Sequence, residues 1–504
     1  MSVLLKKIVD DYNKNVVNSK LSKGEKLYIK VYKMLYKMII KTEIPDNYTL
    51  PPTRTLAQAL GISRSTVIKA YDILVLDGLL ISKRNSGYQL KPIAPRPIIV
   101  PQSNEIDYQQ LSEIGKSFLD LGNFNVSNSA ENLAFSPGLP PLDIFPISQW
   151  KNLTNMYWKE VEFSNLSYSP SSGLEKLKLN ISNYLNLTRN INCEPSQVFI
   201  VSGSMQSLFI LSSILLNPRD NVILENPTFP NVHAVFKGLM ANILGVPIDK
   251  KGISVDFMRQ SKLASKLIHV TPSCHYPMGV KMPLDRRLDL LQYAEENQSY
   301  IIENDYEHEL NNWDNKLPSL FSLDQRQKTI YLGTFNRILH PSLRIGYIIV
   351  PHNLRLPFEL MVKHSHRFVS PSIQYVLNQF IEKKVLHVHL DNLITITKER
   401  KLFFEEQFNQ ILKGFGFNLI HSDTLSLQSL VMIKSSIVDK EIVSLLSKNN
   451  ISVHSFNKSF TNNSTEQGLI FGHCSIAKPI IKNKLIRINT ILQEFQSNQK
   501  KSLK

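Results

Sequence analysis

TRTLAQALGISRSTVIKAYDILVLDGLL, residues 53–80, decides how the amino-terminal part of the chain is read. Ala57, Gly61 and Val67 stand where a helix-turn-helix is constrained. A small residue lets two helices approach, a glycine takes the tight turn, and a β-branched apolar residue plugs the second helix into the core. Ser63 is placed to cap that second helix. Arg64, Ser65, Thr66 and Lys69 fall near its amino end, which in this motif reaches base edges and phosphates. Upstream, Leu27, Val31, Met34, Leu35, Met38 and Ile39 repeat at helical spacing and predict an amphipathic helix, ended by the prolines of TEIPDNYTLPPT. Beyond Gly78, LLISKRNSGYQL predicts two short strands joined by the basic wing Lys83-Arg84-Asn85-Ser86-Gly87. The small-residue, glycine and plug pattern alone also describes an ordinary helical hairpin. The leading helix, the LPPTR entry and the wing, in that order, point to a DNA-binding domain over residues 21–91.

Charge agrees with that assignment. Residues 1–91 hold sixteen Lys and Arg against seven Asp and Glu, a balance of +9 in a 504-residue chain of net charge +16. Such a segment suits a polyanion, because lysines and arginines displace the condensed counterions of phosphates. The apolar fraction of 42% and charged fraction of 20% are those of a folded globular protein rather than a disordered one. No apolar run approaches the roughly 18 residues a membrane span needs. Lys6 and Lys7 interrupt the first apolar residues, so no signal peptide is read there. Cys193, Cys274 and Cys474 lie far apart, which fits unpaired thiols in the cytoplasm and no metal site.

Residues 92–130 carry Pro92, Pro95, Pro97 and Pro101 without sustained periodicity and are read as an extended linker. From 131 to 495, six apolar runs recur between helical stretches: VFIVSG, NVILEN, LIHVTP, YIIENDY, TIYLGTF and IGYIIVP. That alternation predicts an α/β body with a mostly parallel sheet, whose ligand site lies beyond the carboxyl ends of the strands. The expected architecture is therefore multidomain, an α+β head followed by an α/β body.

The head resembles the GntR family of winged-helix regulators. In the body GLPPLDIFP, YSPSSG, SGSMQS, ENPTF, TPSCHYPMG, ENDYEHEL and GTFNRILHPSLRIGY follow one another like the landmarks of fold-type I aminotransferases. Together they resemble MocR-type regulators, a GntR head fused to a class I aminotransferase-like body, over residues 25–490. The resemblance implies DNA contacts from Arg54, Arg64, Thr66 and Gly87, to which the residue reading adds Ser63, Ser65, Lys69 and Arg84. It also implies a homodimer, with double-stranded promoter DNA as the partner.

The family's cofactor is pyridoxal phosphate, held as a Schiff base by a lysine. Where the pattern reads GTFSK, this chain reads Gly333-Thr334-Phe335-Asn336-Arg337. A guanidinium is never deprotonated in a protein and cannot condense with an aldehyde. Asn304 stands where a carboxylate would face the pyridine nitrogen, with Asp305 expected to point away. Phe229 replaces the usual stacking tyrosine, and Ser475 stands about where a substrate-binding arginine belongs. Thr334 and Arg344 match the phosphate ligands, Gly203-Ser204-Met205 would open a helix whose backbone N–H groups favour an anion, and Tyr306 stands where the ring hydroxyl would be met. This combination predicts a body without covalent cofactor and without aminotransferase activity, one that dimerises and senses a small anionic or phosphorylated effector. An active aminotransferase with an accessory head, and a pure scaffold, are the alternatives. Cys274-His275 reads as structural, because neighbours on an extended segment point opposite ways. Trp150 and Trp158 read as core or interface packing.

Overall fold

The computed structural model describes residues 3–17, 25–41, 44, 48–83, 87–91, 108, 110–121, 134–262, 264–311, 317–422, 424–434 and 438–502. The chain divides into two compact units, residues 1–107 and 108–504.

In the first unit, helix α1 (Val3–Tyr12) precedes α2 (Leu27–Ile40), α3 (Thr53–Leu60) and α4 (Arg64–Leu76). Strands β1 (Leu80–Lys83) and β2 (Gly87–Leu90) then pair antiparallel, Leu80 opposite Leu90 and Lys83 opposite Gly87. Helix α2 buries Val31, Met34, Leu35, Met38 and Ile39 as its periodicity predicts, whereas Leu27 is solvent-exposed at its first turn. Helix α1 lies outside the expected boundary at residue 21. Leu4, Leu5, Ile8 and Tyr12 join the same core as Val67, Tyr71 and Leu74, because their spacing makes one apolar stripe on a helix.

The second unit holds an eight-stranded sheet. Its strands are β3 (Val198–Val201), β4 (Asn221–Asn226), β5 (Asn242–Asp249), β6 (Gly252–Ile253), β7 (Leu267–Val270), β8 (Tyr300–Asn304), β9 (Thr329–Thr334) and β10 (Gly346–Ile349). They lie in the order β3-β10-β9-β8-β7-β4-β5-β6. Strand β10 runs antiparallel to both neighbours, β6 is a hairpin return, and the rest are parallel. All six quoted runs are strands of this sheet. Alternate residues enter different cores: Val198 and Ile200 join one, Phe199 and Val201 the other, so helices cover both faces. A smaller antiparallel sheet follows, with β11 (Phe417–Leu419), β12 (Ser429–Ile433), β13 (His454–Ser455) and β14 (Gly468–Phe471) ordered β11-β12-β14-β13. It packs against the long helices Val385–Ile411 and Lys478–Ser502, the second of which runs past the expected end at 495.

The expected spacer 92–130 is not uniform. Within it, α5 (Glu113–Asp120) is capped by Ser112, whose Oγ accepts from the Gly115 amide at 3.1 Å. It belongs with the body: Ser117 Oγ donates to the Lys237 carbonyl at 3.0 Å, and the Phe118 ring packs over Gly238 and beside Phe209. Amphipathic spacing and the serine cap outweigh the nearby prolines.

Among the described residues, no helix is long and apolar enough to cross a membrane. None of their His, Cys, Asp and Glu side chains gather in a group of three that could hold a metal ion.

Candidate functional sites

In the head, Gly61 ends α3 with φ +66°, a left-handed conformation that costs glycine little, and Ile62 N–H returns to the Ala57 carbonyl at 3.1 Å. Ser63 caps α4, its Oγ accepting from the Thr66 amide at 3.2 Å and lying 2.7 Å from Thr66 Oγ1 and 2.9 Å from Ser65 Oγ. Val67 and Ala70 are fully buried beneath; a valine removed from water in this way stabilises by about 1.5–3 kcal/mol. Arg54, Ser63, Arg64, Ser65 and Lys69 are exposed, and Thr66 is partly so. Arg64 Nε donates to Thr53 Oγ1 at 3.3 Å, tying the starts of α3 and α4. Lys69 lies 5.8 Å above the Tyr28 ring. Gly87 opens β2, while Arg84 lies outside the described residues. Tyr88 holds the strands to α4: its hydroxyl donates to Asp72 at 3.2 Å and its ring meets Tyr71 edge-on at 4.9 Å.

In the body, parallel strands bring their carboxyl ends to one edge, where Phe229, Asn304, Tyr306 and Arg337 gather. The Arg337 guanidinium lies 5.4 Å from the Phe229 ring centre and 5.1 Å from that of Tyr306. Its Nη1 is 3.4 Å from Glu307 Oε1, and Glu307 Oε2 accepts from Ser426 Oγ at 3.0 Å. Burial pushes the Glu307 carboxyl up and the guanidinium opposes that shift. Gly138, at φ +77°, lies directly against the guanidinium: a Cβ there would stand 1.9 Å from Nη1. Glu307 partly offsets the positive charge that Arg337 brings to this cluster.

Tyr276, unremarked in the sequence reading, stacks on Phe229 with ring centres 3.7 Å apart and planes 15° apart. Tyr306 donates to the Cys274 carbonyl at 2.7 Å. Asn304 is buried, and its Nδ2 contacts His269 Nε2 at 3.2 Å; burial lowers His269 to about 3, so this imidazole is neutral and accepts. Asp305 is directed elsewhere. Its Oδ2 accepts from Arg189 Nε at 2.8 Å and Tyr331 Oη at 2.9 Å, in a network that also holds Glu303 and Arg287.

Thr334 ends β9, and its Oγ1 accepts from the Asn336 amide at 3.2 Å. Ser204 begins the helix Ser204–Leu215, whose first amides have no intrahelical acceptor. Arg344 is exposed. Ser475 lies beyond β14 and bonds back to the Gly472 carbonyl at 3.1 Å. The β14 residue in the cluster with Tyr276, Tyr306 and Phe456 is Ile470, an apolar side chain.

Cys274 and His275 do point apart. The Cys274 thiol lies 3.5 Å from Thr424 Oγ1 and is pushed by burial to about 12, which disfavours the thiolate. His275 Nε2 lies 3.0 Å from the Pro227 carbonyl. All three cysteines are buried and free. Trp150 packs against Phe145 and Phe380, while Trp158 is 60% exposed.

Residues 154–458 match the family model described as aminotransferase class I and II, and residues 27–90 match that of bacterial regulatory proteins of the gntR family. The chain is 28% identical over 473 residues to the probable rhizopine catabolism regulatory protein MocR of Rhizobium meliloti, covering 94% of this chain and 95% of that protein. It is 30% identical over 302 residues to the HTH-type pyridoxine biosynthesis transcriptional regulator PdxR of Corynebacterium glutamicum, covering 60% and 61%. Among solved structures, the α-aminoadipate aminotransferase LysN of Thermus thermophilus superposes with TM-score 0.67 at 20% identity, covering 73% of this chain and 94% of that one.

Proposed function

Because the chain belongs to the aminotransferase class I and II family and carries a gntR-family head, we propose that it is a sequence-specific, DNA-binding transcription regulator working in the cytoplasm. The observation that carries this reading is the amino end of α4. Arg64, Ser65 and Lys69 are exposed there beside a capped helix start, and Arg54 and Gly87 are exposed on neighbouring elements. Such an end enters the major groove, with phosphate contacts fixing register and side chains reading bases. We assign Arg54, Ser63, Arg64, Ser65, Thr66, Lys69, Arg84 and Gly87 to that surface. Footprinting of promoter fragments with wild type and Arg64→Ala tests it; an unchanged footprint would defeat the assignment.

The body is proposed to dimerise without turning over substrate. Phe163, Leu166 and Tyr168, 94%, 57% and 78% exposed, leave an apolar stretch beside Trp158 that a second copy would cover. Members of the aminotransferase fold family normally bind pyridoxal phosphate. The residues here do not fit its covalent form: Arg337 offers no nucleophilic amine, Asn304 is a neutral amide bonded to an uncharged imidazole, and Tyr276 already stacks on Phe229. Borohydride treatment after mixing with pyridoxal phosphate should leave residue 337 unmodified, and no amino-group exchange should be measurable. An adduct in this pocket, or turnover above background, would restore the aminotransferase reading. We assign a small anionic effector to Arg337, with Ser204, Thr334 and Arg344 as further candidate ligands.

A further inference from the structure

A guanidinium carries five N–H donors and binds a carboxylate best through two parallel bonds of about 2.7–2.9 Å. Arg337 has a poorer arrangement: a single 3.4 Å approach to Glu307. Glu307 is divided, since its other oxygen accepts from Ser426 Oγ at 3.0 Å. The two partners also differ in access. One-fifth of the Arg337 side chain is exposed and that of Glu307 is fully buried, so a solute can reach the cation but not the carboxylate. The rings of Phe229 and Tyr306 near the guanidinium do not compete for its in-plane donors.

Resting on the reading of the body as an anion sensor, we propose that Glu307 is an internal competitor for Arg337 that sets the affinity of the pocket for a carboxylate or phosphate. The entering oxyanion takes the guanidinium through a two-point fork, and the long contact to Glu307 is given up. Glu307 keeps its bond from Ser426 but, left buried without its cation, takes a proton from solvent.

Gly138 gives the exchange a mechanical consequence. The guanidinium rests where a Cβ of residue 138 would be, and the adjoining Phe135 bridges to Gly472 at the end of β14. Drawing Arg337 toward a ligand uncovers Gly138, so the segment 134–141 registers the occupied pocket.

The experiment is calorimetric titration of the full-length protein with inorganic phosphate and, separately, sodium benzoate, in two buffers of different ionisation enthalpy. Wild type should bind at least one probe with uptake of up to one proton. Glu307→Gln, which retains an acceptor for Ser426, should bind that probe at least about fivefold more tightly and without proton uptake. Arg337→Met should not bind. Should that variant fail to fold, Arg337→Lys, which keeps the charge and loses the fork, should bind more weakly than wild type. Equal affinities for wild type and Glu307→Gln would overturn the competitor while leaving the sensing reading intact. Undiminished binding by the Arg337 variants, or no binding by any form, would overturn both.

Discussion

Arg64 and Arg337 carry the same charged group at the centre of the two candidate sites, in opposite settings. Arg64 is exposed, and its Nε donates to a neutral hydroxyl, that of Thr53. Arg337 is walled by two rings, a glycine Cα and a buried carboxylate. A charge held by a neutral surface group stays available to a polyanion; one paired in the interior is available only to a ligand that outcompetes its partner. The Arg64 charge is open to solvent, and the Arg337 charge is shared with a buried acid.

The largest way to break this contrast lies in the body interior. Arg189→Met removes the cation that serves Asp305 and Glu303, all three fully buried. Stability of the body should fall by about 3–5 kcal/mol, seen as a lower midpoint in urea unfolding. The first unit, which shares none of these residues, should keep its own transition. At the surface, Arg64→Ala should leave the melting temperature unchanged and weaken specific DNA binding by about 1–3 kcal/mol, roughly 5- to 150-fold in gel-shift titrations. A large loss of stability there would mean that Arg64 is structural and the contrast is false.

Acidification separates the units further. Residues 1–107 contain no histidine, whereas the body buries His473, lowered to about 3 by burial first and by Lys401 second. A depressed histidine contributes stability that is present above its unfolded value near 6.5 and is lost as pH falls toward 3. His473→Gln should therefore flatten the pH dependence of body stability between those limits, by up to about 1.4 kcal/mol per pH unit. Matched slopes for variant and wild type would count against a neutral buried ring. The smallest expected effect is Ser63→Ala. Loss of the cap to the Thr66 amide should cost the head about 1 kcal/mol, measured by thermal unfolding of the first unit's transition.

The head was legible because local chemistry dictates it: a glycine with positive φ, a capping serine and a buried valine each act within a few residues. The six strand runs were legible for the same reason, and so was the divergence of Cys274 from His275. The failures are long-range. Glu307 becomes a partner of Arg337 only when two strand ends are brought together, and no periodicity marks an acid for that purpose. Tyr276 over Phe229 depends on the loops after β4 and β7, which are far apart in the chain, with β5 and β6 between those strands. Ser475 lies past the end of β14 at Phe471, and the β14 residue that joins Tyr276 and Tyr306 is Ile470, a proximity no local pattern announces. Helix α1 differs, since Leu4, Leu5, Ile8 and Tyr12 carry helical periodicity in the sequence itself, with Lys6 and Lys7 on the exposed side.

The clasp formed by Tyr88, Asp72 and Tyr71 makes the strand pair and α4 turn as one piece. A reader with two probes on a common mount cannot adjust one without the other. If the probes lie in adjacent grooves, their separation along the duplex is a fixed dimension, and inserting a single base pair between the two contacted patches would rotate one of them out of reach.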